Sequence, residues 1–485
     1  MTAVFNRAES ISFMPAATDF ITPKTGLTAD DLTPFVQQAT KGADDGELFI
    51  ENVLSESVVL DDGEIKSTSF NNSHGFGLRR VVDEFQAYVY GNEVNKDTLK
   101  KAAGELAAAA PGNGTLDVSP GQPEKSFYEA ISPLGTDYDL PKRIKLAQDI
   151  DAYLRGKDNR VRQVKVVISG TVQDVMIVRP DGHVATDRRP MTVLFVFVTM
   201  DDGKKRETGM SKFIRRKGYS DIFNVWQDVA DKAYKQTDTL MQSIACPAGQ
   251  MPVILGAGGS GVIFHEAIGH GLEGDLIREG SVFSGKMGQQ VASEGVSIVD
   301  DGTIPNSRGS INIDDEGTPS QYTTLIENGK LVGYINDRLN GRIHGTGSTG
   351  NGRRQSYRHR PLVRMRNTYM LNGDMTPEEI IASTKGKAVY AVDYSGGQVD
   401  TSSGKFVFQA TEAYLVEDGK IVAPVKGATL IGSCAEGLKN IDMIGNDMRL
   451  EEGGTCGKKG QGMPVNDGMP TIRMTKGVTI GGTEG

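Results

Sequence analysis

Residues 251–275 read MPVILGAGGSGVIFHEAIGHGLEGD and place two imidazoles and a carboxylate, His265, Glu266 and His270, within six positions. Zinc peptidases commonly carry His-Glu-x-x-His on a helix, where histidines four apart share one face and the Glu reaches water at the metal. This chain has one residue more, which turns the second ring about 140° away on an ideal α-helix. The motif is therefore either accidental or part of a distorted helix. A single π-turn would bring the rings together, and the glycines on either side of His270 would ease that distortion.

The same stretch contains a competing motif. Gly256–Gly261 matches G-x-G-x-x-G, follows the apolar run Val253–Leu255 and precedes a predicted helix, which is the context of a dinucleotide-binding loop. The chain lacks the repeated strand, helix, strand alternation that such a domain requires. A turn that lets a strand pack closely on a helix is the other interpretation. A dinucleotide-binding oxidoreductase therefore stays open as an alternative function.

Composition excludes several classes of protein. A net charge of −9 and a pI near 5.4 argue against a general nucleic-acid binder. The longest apolar run, residues 191–200, is too short to cross a bilayer, and the first twenty residues contain no apolar stretch typical of a signal peptide. The three cysteines are too widely spaced for a disulfide framework. These features predict a soluble cytoplasmic protein.

Glycine usage predicts a domain boundary. With 485 residues there is room for about two or three domains, and most of the 60 glycines lie after residue 250. We predict an α+β fold with two domains. Residues 1–245 would form an N-terminal α+β domain with antiparallel sheet, and residues 246–485 a glycine-rich, mainly β domain that carries the motif helix.

Local patterns predict the elements of the first half. Capping residues, periodicity and turn signals indicate helices at 28–38, 96–110 and 141–155. They indicate strand structure at 47–52 and at 57–70, the latter with Asp62-Gly63 as a two-residue hairpin turn, a hairpin at 79–90, and strands at 161–169, 172–178 and 191–199. Apolar residues at helical spacing between Ile222 and Ile244 predict a helix with Trp226 in the core.

The second half continues with hairpin signals. Asn-Gly and Asp-Gly between apolar strands predict hairpins at 325–332 and 415–422. One helix is predicted at 375–383, with Thr376 as its cap, and one strand at 471–479.

A basic cluster between Arg353 and Arg366 has three interpretations. It could contact nucleic acid, bind carboxylates or peptide carbonyls, or pair within the protein with Asp314, Asp315 and Glu316. The acidic character of the whole chain favours structural pairing.

A metal held by two histidines needs a third protein ligand. The candidates are Glu273, Asp275, the remaining histidines and the cysteines. Cys456 lies in the segment GGTCGKKG, which has the backbone freedom to approach an ion and a lysine nearby to favour the thiolate. A lone cysteine is also typical of a small buried hydrophobe, as we expect for Cys246 and Cys434.

Three segments together resemble a known family: HEAIGHGLEGD at 265–275, STGNGRR at 348–354 and GGTCGK at 453–458. They look like the catalytic members of the TldD/PmbA family of zinc metallopeptidases. The resemblance implies that His265, His270 and Cys456 bind Zn2+ and that Glu266 is the catalytic carboxylate, which would activate a zinc-bound water.

The same resemblance implies partners. Family members are cytoplasmic, pair with a homologous PmbA/TldE-type subunit that lacks the metal motif, and cleave unfolded or modified peptides. We therefore expect a peptide substrate and a heterodimer, with neither nucleic acid nor membrane as a partner. A non-catalytic scaffold subunit is the alternative, although such a subunit should lack the His-Glu-His set that this chain retains.

Overall fold

The computed structural model describes residues 20–109, 111–135 and 137–482. Helices and one antiparallel sheet form the first half of this part of the chain, and strands dominate the second. The predicted α+β class is confirmed. The proposed boundary at residues 245 and 246 stays a prediction. The segment predicted to lack a signal peptide falls largely on residues 1–19, outside the described residues.

The first half contains two groups of three consecutive strands, with helices before, between and after them. In chain order its elements are α1 (Thr22–Thr25), α2 (Ala29–Ala39), β1 (Asp45–Asp61), β2 (Glu64–Val82), β3 (Phe85–Gly91), α3 (Lys96–Ala109), α4 (Leu140–Lys157), β4 (Val161–Val178), β5 (Val184–Asp201), β6 (Arg206–Arg215) and α5 (Ser220–Gln242). Within the described part, the strands form an antiparallel sheet in the order β3-β2-β1-β4-β5-β6.

Alternating burial along β4 and β5 explains how this sheet is covered. Successive side chains of a strand point to opposite faces, so the apolar positions of both strands meet α4 and α5 on one face. Helices α2 and α3 cover the part of the sheet formed by β1 and β2. Trp226, predicted as core, is only half-buried and packs edge-on against Tyr153.

Most predicted elements of the first half are present. The capping box of Thr28 and Asp31 starts α2, and Asp62-Gly63 forms the turn between β1 and β2 with both residues in the left-handed region. The predicted break within residues 161–178 is wrong. Gly170 stays in register with both neighbouring strands, and its missing side chain leaves room for the hydroxyl of Tyr219.

Many short strands separated by loops form the second half. Its elements are β7 (Ile244–Ala245), β8 (Gly249–Gln250), β9 (Val253–Leu255), α6 (Gly261–Phe264), a π-turn (His265–Gly269), a 3₁₀ turn (His270–Leu272), α7 (Gly274–Arg278), β10 (Ile298–Asp301), β11 (Tyr322–Glu327), β12 (Lys330–Leu331), α8 (Arg338–His344), β13 (Gly352–Arg353), β14 (Leu362–Val363), β15 (Asn367–Met370), α9 (Pro377–Ala382), β16 (Lys387–Asp400), β17 (Lys405–Glu417), β18 (Lys420–Lys426), β19 (Thr429–Ser433), α10 (Cys434–Gly437), a 3₁₀ turn (Leu438–Asn440), β20 (Ile441–Ile444), β21 (Arg449–Leu450), β22 (Gly454–Lys458), β23 (Gln461–Met469), β24 (Ile472–Met474) and β25 (Val478–Gly481).

Two large sheets contain most of these strands, and β13 and β14 form a separate two-stranded sheet. One large sheet contains β12-β11-β10-β15-β23-β21, with β22 paired to β23, and the other contains β20-β24-β9-β16-β17-β19-β25-β8, with β18 added to β17. A shared apolar core of Val, Ile, Leu, Phe and Met side chains lies between them and surrounds α6.

Both predicted hairpins of the second half are confirmed, at β11/β12 and β17/β18, with Asn328-Gly329 and Asp418-Gly419 as turns. Thr376 caps α9 as predicted. The single strand predicted at 471–479 is wrong, because the chain turns at Gly477, which has a φ of 87°, and divides into β24 and β25. Cys246 is buried as expected, and the side chain of Cys434 lies outside the described residues.

Buried ion pairs join the two halves. Arg354 pairs with Glu47 at 2.7 Å, and Arg338 pairs with Asp45 at 2.9 Å. The basic cluster therefore pairs within the protein, as predicted. Its side chains form ion pairs with carboxylates other than the expected ones, although the backbone N–H of Arg354 donates to Oδ2 of Asp315 at 2.7 Å. Arg366 pairs with Asp300 at 2.9 Å, while other members of the cluster donate to backbone carbonyls.

No helix within the described ranges combines the length and the apolar character that crossing a membrane requires.

Candidate metal centre

The motif helix begins against the sheet of β23. Residues 256–261 are buried, and a Cβ added at Gly261 would lie 2.4 Å from the backbone nitrogen of Gly468. Such an approach is open only to glycine. Gly261, the last glycine of the G-x-G-x-x-G pattern, therefore allows close packing of α6 on β23, as the second of the two interpretations expects.

The extra residue between the histidines is absorbed by a π-turn over His265–Gly269. The backbone N–H of His270 bonds to the carbonyl of His265, five residues back, and the two rings come to a centroid separation of 5.3 Å. Gly269 faces Met365, whose sulfur would lie 1.9 Å from an added Cβ. Of the two alternatives that the spacing left open, the distorted helix is the one observed.

A long-range hairpin supplies Cys456. Strand β22 turns at Lys459-Gly460 into β23, which pairs in parallel with β15. Because side chains alternate along β22, Cys456 is buried while its neighbours Thr455 and Gly457 are exposed. Its Sγ lies 3.1 Å from Nε2 of His270.

Three potential ligand atoms converge here. One atom each from His265, His270 and Cys456 lie within 4.8 Å of one another, and all three side chains are buried. Both ring nitrogens of His265 are buried without a hydrogen-bond partner among the described residues. Buried polar atoms rarely stay unpaired. Two imidazole nitrogens and one sulfur fit a zinc ion with a position left open for a reactant.

Glu266 lies at the accessible side of this cluster. One of its carboxylate oxygens is 3.8 Å from Nε2 of His270, and its side chain is 24% exposed, against 9% for His270. It is therefore placed to meet a reactant that enters from solvent.

The buried groups shift one another's protonation. Burial raises the pKa of the Cys456 thiol, but the two imidazoles outweigh this and lower that pKa to about 4. Burial lowers the pKa of His270, but Glu273 and Cys456 outweigh burial and raise it. The expectation that a lysine favours the thiolate is corrected, since Lys458 is directed at Glu273 and Asp275.

The other candidate third ligands lie outside this cluster. Glu273 contacts the far side of the His270 ring, with Oε2 2.8 Å from Nδ1, and Asp275 pairs with Lys458. Among the described residues, the remaining histidines contribute to no such group of ligand atoms. Sequence reasoning missed the contact between Lys458 and Glu273, since 185 positions separate them and nothing in the two motif segments that contain them shows that these side chains meet.

Comparison with known proteins places the chain in a family. Three profiles of the PmbA/TldA metallopeptidase family match it: domain 1 at residues 46–110, the central domain at 133–240 and the C-terminal domain at 248–482. The chain is 42% identical to the "Metalloprotease TldD homolog" of Haemophilus influenzae, over 96% of this chain and 98% of that protein.

Two further proteins, one relative and one solved structure, are also similar to this chain. The "Zinc metalloprotease TldD homolog" of Saccharolobus solfataricus is 35% identical over 54% of this chain and 58% of its own length. The crystal structure of TldE from Thermococcus kodakarensis shares the fold with a TM-score of 0.71 at 19% identity, covering 94% of this chain and all of that one. The chain described here belongs to the PmbA/TldA metallopeptidase family, among the proteins that are similar to TldD.

Proposed function

We propose that this chain is a zinc-dependent peptidase that cleaves unfolded or modified peptides. His265, His270 and Cys456 would hold the ion, and Glu266 would carry the proton. The observation that supports this most directly is the convergence of the three buried ligand atoms within 4.8 Å, next to a carboxylate that solvent can reach.

A zinc ion held there would supply a Lewis acid that polarises a peptide carbonyl and makes water easier to deprotonate. The side chains divide the remaining work. A carboxylate oxygen of Glu266 can take the proton from the attacking water and pass it to the leaving amine nitrogen. Arg364 donates to the carbonyl of Cys456 at 2.5 Å and so holds the cysteine strand beside His270.

The donor set supports zinc as the ion. Cysteine sulfur with imidazole nitrogen favours zinc over the hard cations that oxygen ligands select. The printed name of the Saccharolobus solfataricus relative points the same way.

The partner that the sequence resemblance implies is a homologous subunit of the PmbA/TldE type. The similarity in fold to TldE from Thermococcus kodakarensis supports a pair of related chains. Co-expression of the two subunits, followed by size-exclusion chromatography with light scattering, tests this pairing. Elution of the two chains as separate monomers contradicts it.

Zinc content and peptide cleavage measured on the same samples test the proposed function. We expect about one zinc per chain in the wild type and cleavage of a small protein only after it has been denatured. His265→Ala should lose both properties. The matched control is His359→Ala, which removes a partly exposed histidine that contacts Ser356 and should keep both. A wild type that binds no zinc, or a His265→Ala variant that keeps full zinc content, contradicts the proposal.

A further inference from the structure

The His270 ring is engaged on both of its nitrogens. Nε2 faces the sulfur of Cys456 at 3.1 Å, and Nδ1 lies 2.8 Å from Oε2 of Glu273. A carboxylate on Nδ1 fixes the proton on that nitrogen, so the lone pair of Nε2 points at the ligand cluster. His265 has no corresponding contact among the described residues. The two histidines are thus held differently.

Glu273 is itself held by a lysine from a remote part of the chain. Its side chain is fully buried, and Nζ of Lys458 donates to the same oxygen, Oε2, at 3.0 Å. Lys458 also donates to Oδ1 of Asp275 at 2.6 Å and to the carbonyl of Val363 at 3.1 Å. Because Lys458 follows Cys456 by two positions in β22, both side chains point inward from one strand.

The buried charges of Glu273 and Lys458 depend on each other. A buried carboxylate is costly unless it is paired and hydrogen-bonded. Oε1 of Glu273 has no partner within the described part of the chain, so Oε2 makes both contacts. Removing Lys458 would leave the Glu273 carboxylate with the His270 ring as its remaining partner.

We propose that Glu273, held in place by Lys458, is a positioning residue that fixes the orientation and the protonated nitrogen of His270 for metal binding. The contact also couples the two sequence segments of the site, since the strand that carries Cys456 carries the lysine that holds Glu273. This inference rests on the proposed function and goes beyond it, because it assigns roles to two residues that would not touch the ion.

Zinc affinity separates this role from a merely structural one. We would titrate metal-free protein with Zn2+ against a competing chelator and record the absorption spectrum of the Co2+ form. Loss of a hydrogen-bonding partner behind a metal ligand typically weakens metal binding by about 10–100-fold. We therefore expect Glu273→Gln and Lys458→Met to weaken Zn2+ binding by about that factor and to shift the Co2+ spectrum.

Matched controls lie next to both residues. Glu279 directly follows α7, Lys459 directly follows β22, and the two form an exposed pair at 2.7 Å, so Glu279→Gln and Lys459→Met change the same charges away from His270. Both controls should bind Zn2+ as the wild type does. If Glu273→Gln does not fold, the double variant Glu273→Gln/Lys458→Met, which removes both buried charges together, carries the test.

The outcomes are distinguishable. Wild-type protein that binds neither Zn2+ nor Co2+ overturns the proposed function and this inference with it. Wild-type protein that binds both ions, with a folded Glu273 variant of equal affinity and unchanged Co2+ spectrum, overturns the positioning role alone. Weakened binding with a wild-type melting temperature of the metal-free variant supports it.

Discussion

Nε2 of His270 lies 3.1 Å from Sγ of Cys456, although 186 positions separate the two residues in the chain. No local interaction can produce this contact. It requires the π-turn that points the second ring inward and the hairpin of β22 and β23 that returns the cysteine. The chemistry of the candidate site therefore depends on the fold of the whole second half.

Replacing Glu266 with Gln should separate metal binding from turnover. The amide cannot take a proton, so we expect unchanged zinc content and a fall in the peptide cleavage rate of about 10²–10⁴-fold. Zinc analysis and a cleavage assay on the same preparation measure the two effects. The exposed Glu279→Gln variant should cleave at the wild-type rate, and retention of full activity by Glu266→Gln would remove Glu266 from the mechanism.

Cys456→Ala should lose zinc, and Cys246→Ala should keep it. Both cysteines are buried, but only Cys456 lies against the histidines. Loss of one of three protein ligands weakens the site, whereas loss of the Cys246 sulfur removes only a small apolar contact. Zinc content after dialysis against a mild chelator reports the difference, and equal retention by the two variants would argue against cysteine ligation.

Gly261→Ala should destabilise the fold by about 1–3 kcal/mol, because the added methyl would meet the backbone of β23 and force α6 outward. The control is Gly156→Ala in α4, where an added Cβ meets nothing within 4 Å. Helix propensity there favours alanine by about 1 kcal/mol. Chemical denaturation followed by circular dichroism measures both changes. A Gly261→Ala protein as stable as the wild type would mean that α6 can move away from β23 without loss of stability.

The Asp314→Asn variant should gain stability relative to the wild type as the pH rises from 5 to 8. Burial, followed by the charge of Glu316, raises the pKa of Asp314 to about 8, whereas an unfolded aspartate has a pKa of about 4. Between these values the native state keeps a proton that the unfolded state loses, so rising pH costs the native state stability. Asparagine has no such proton to lose.

The new amide lies next to the backbone N–H of Gly352, and any loss of stability that this contact causes is independent of pH. The test is therefore how the stability difference between variant and wild type changes with pH. Melting temperatures of both zinc-saturated proteins at several pH values supply it. If the melting temperature of the variant minus that of the wild type stays constant, or falls as the pH rises, the raised pKa of Asp314 is contradicted.

Local signals predicted the parts of the fold that local physics determines. Asp62-Gly63, Asn328-Gly329 and Asp418-Gly419 each adopt the left-handed conformations that a tight hairpin needs, and Thr28 and Thr376 each cap a helix. The predicted break at Gly170 is wrong because a tertiary neighbour decides the local structure there. Gly170 stays within a strand because Tyr219 fills the space above it.

The candidate site, too, was predicted in part from local sequence and was otherwise decided by tertiary contacts. Residue chemistry alone identified His265, Glu266 and His270, but it left both the helix geometry and the third ligand open, and the resemblance to a family supplied Cys456. The ion-pair partners were also open, since the Arg354 guanidinium pairs with the carboxylate of Glu47, whereas the carboxylate of Asp315 accepts from the backbone N–H of Arg354. A single sequence cannot choose among carboxylates whose approach depends on how two sheets pack.

The sequence by itself determined the types of the candidate ligands, the turns, the caps and the alternation of strands, because these follow from side-chain chemistry and from backbone conformations that neighbouring residues set. The tertiary structure decided that, among the described histidine and cysteine side chains, His265, His270 and Cys456 meet. It also decided that Lys458 reaches Glu273 rather than Cys456. Such contacts depend on the closure of long loops and on the burial of charge, and both are fixed only when the two sheets of the second half enclose a common core.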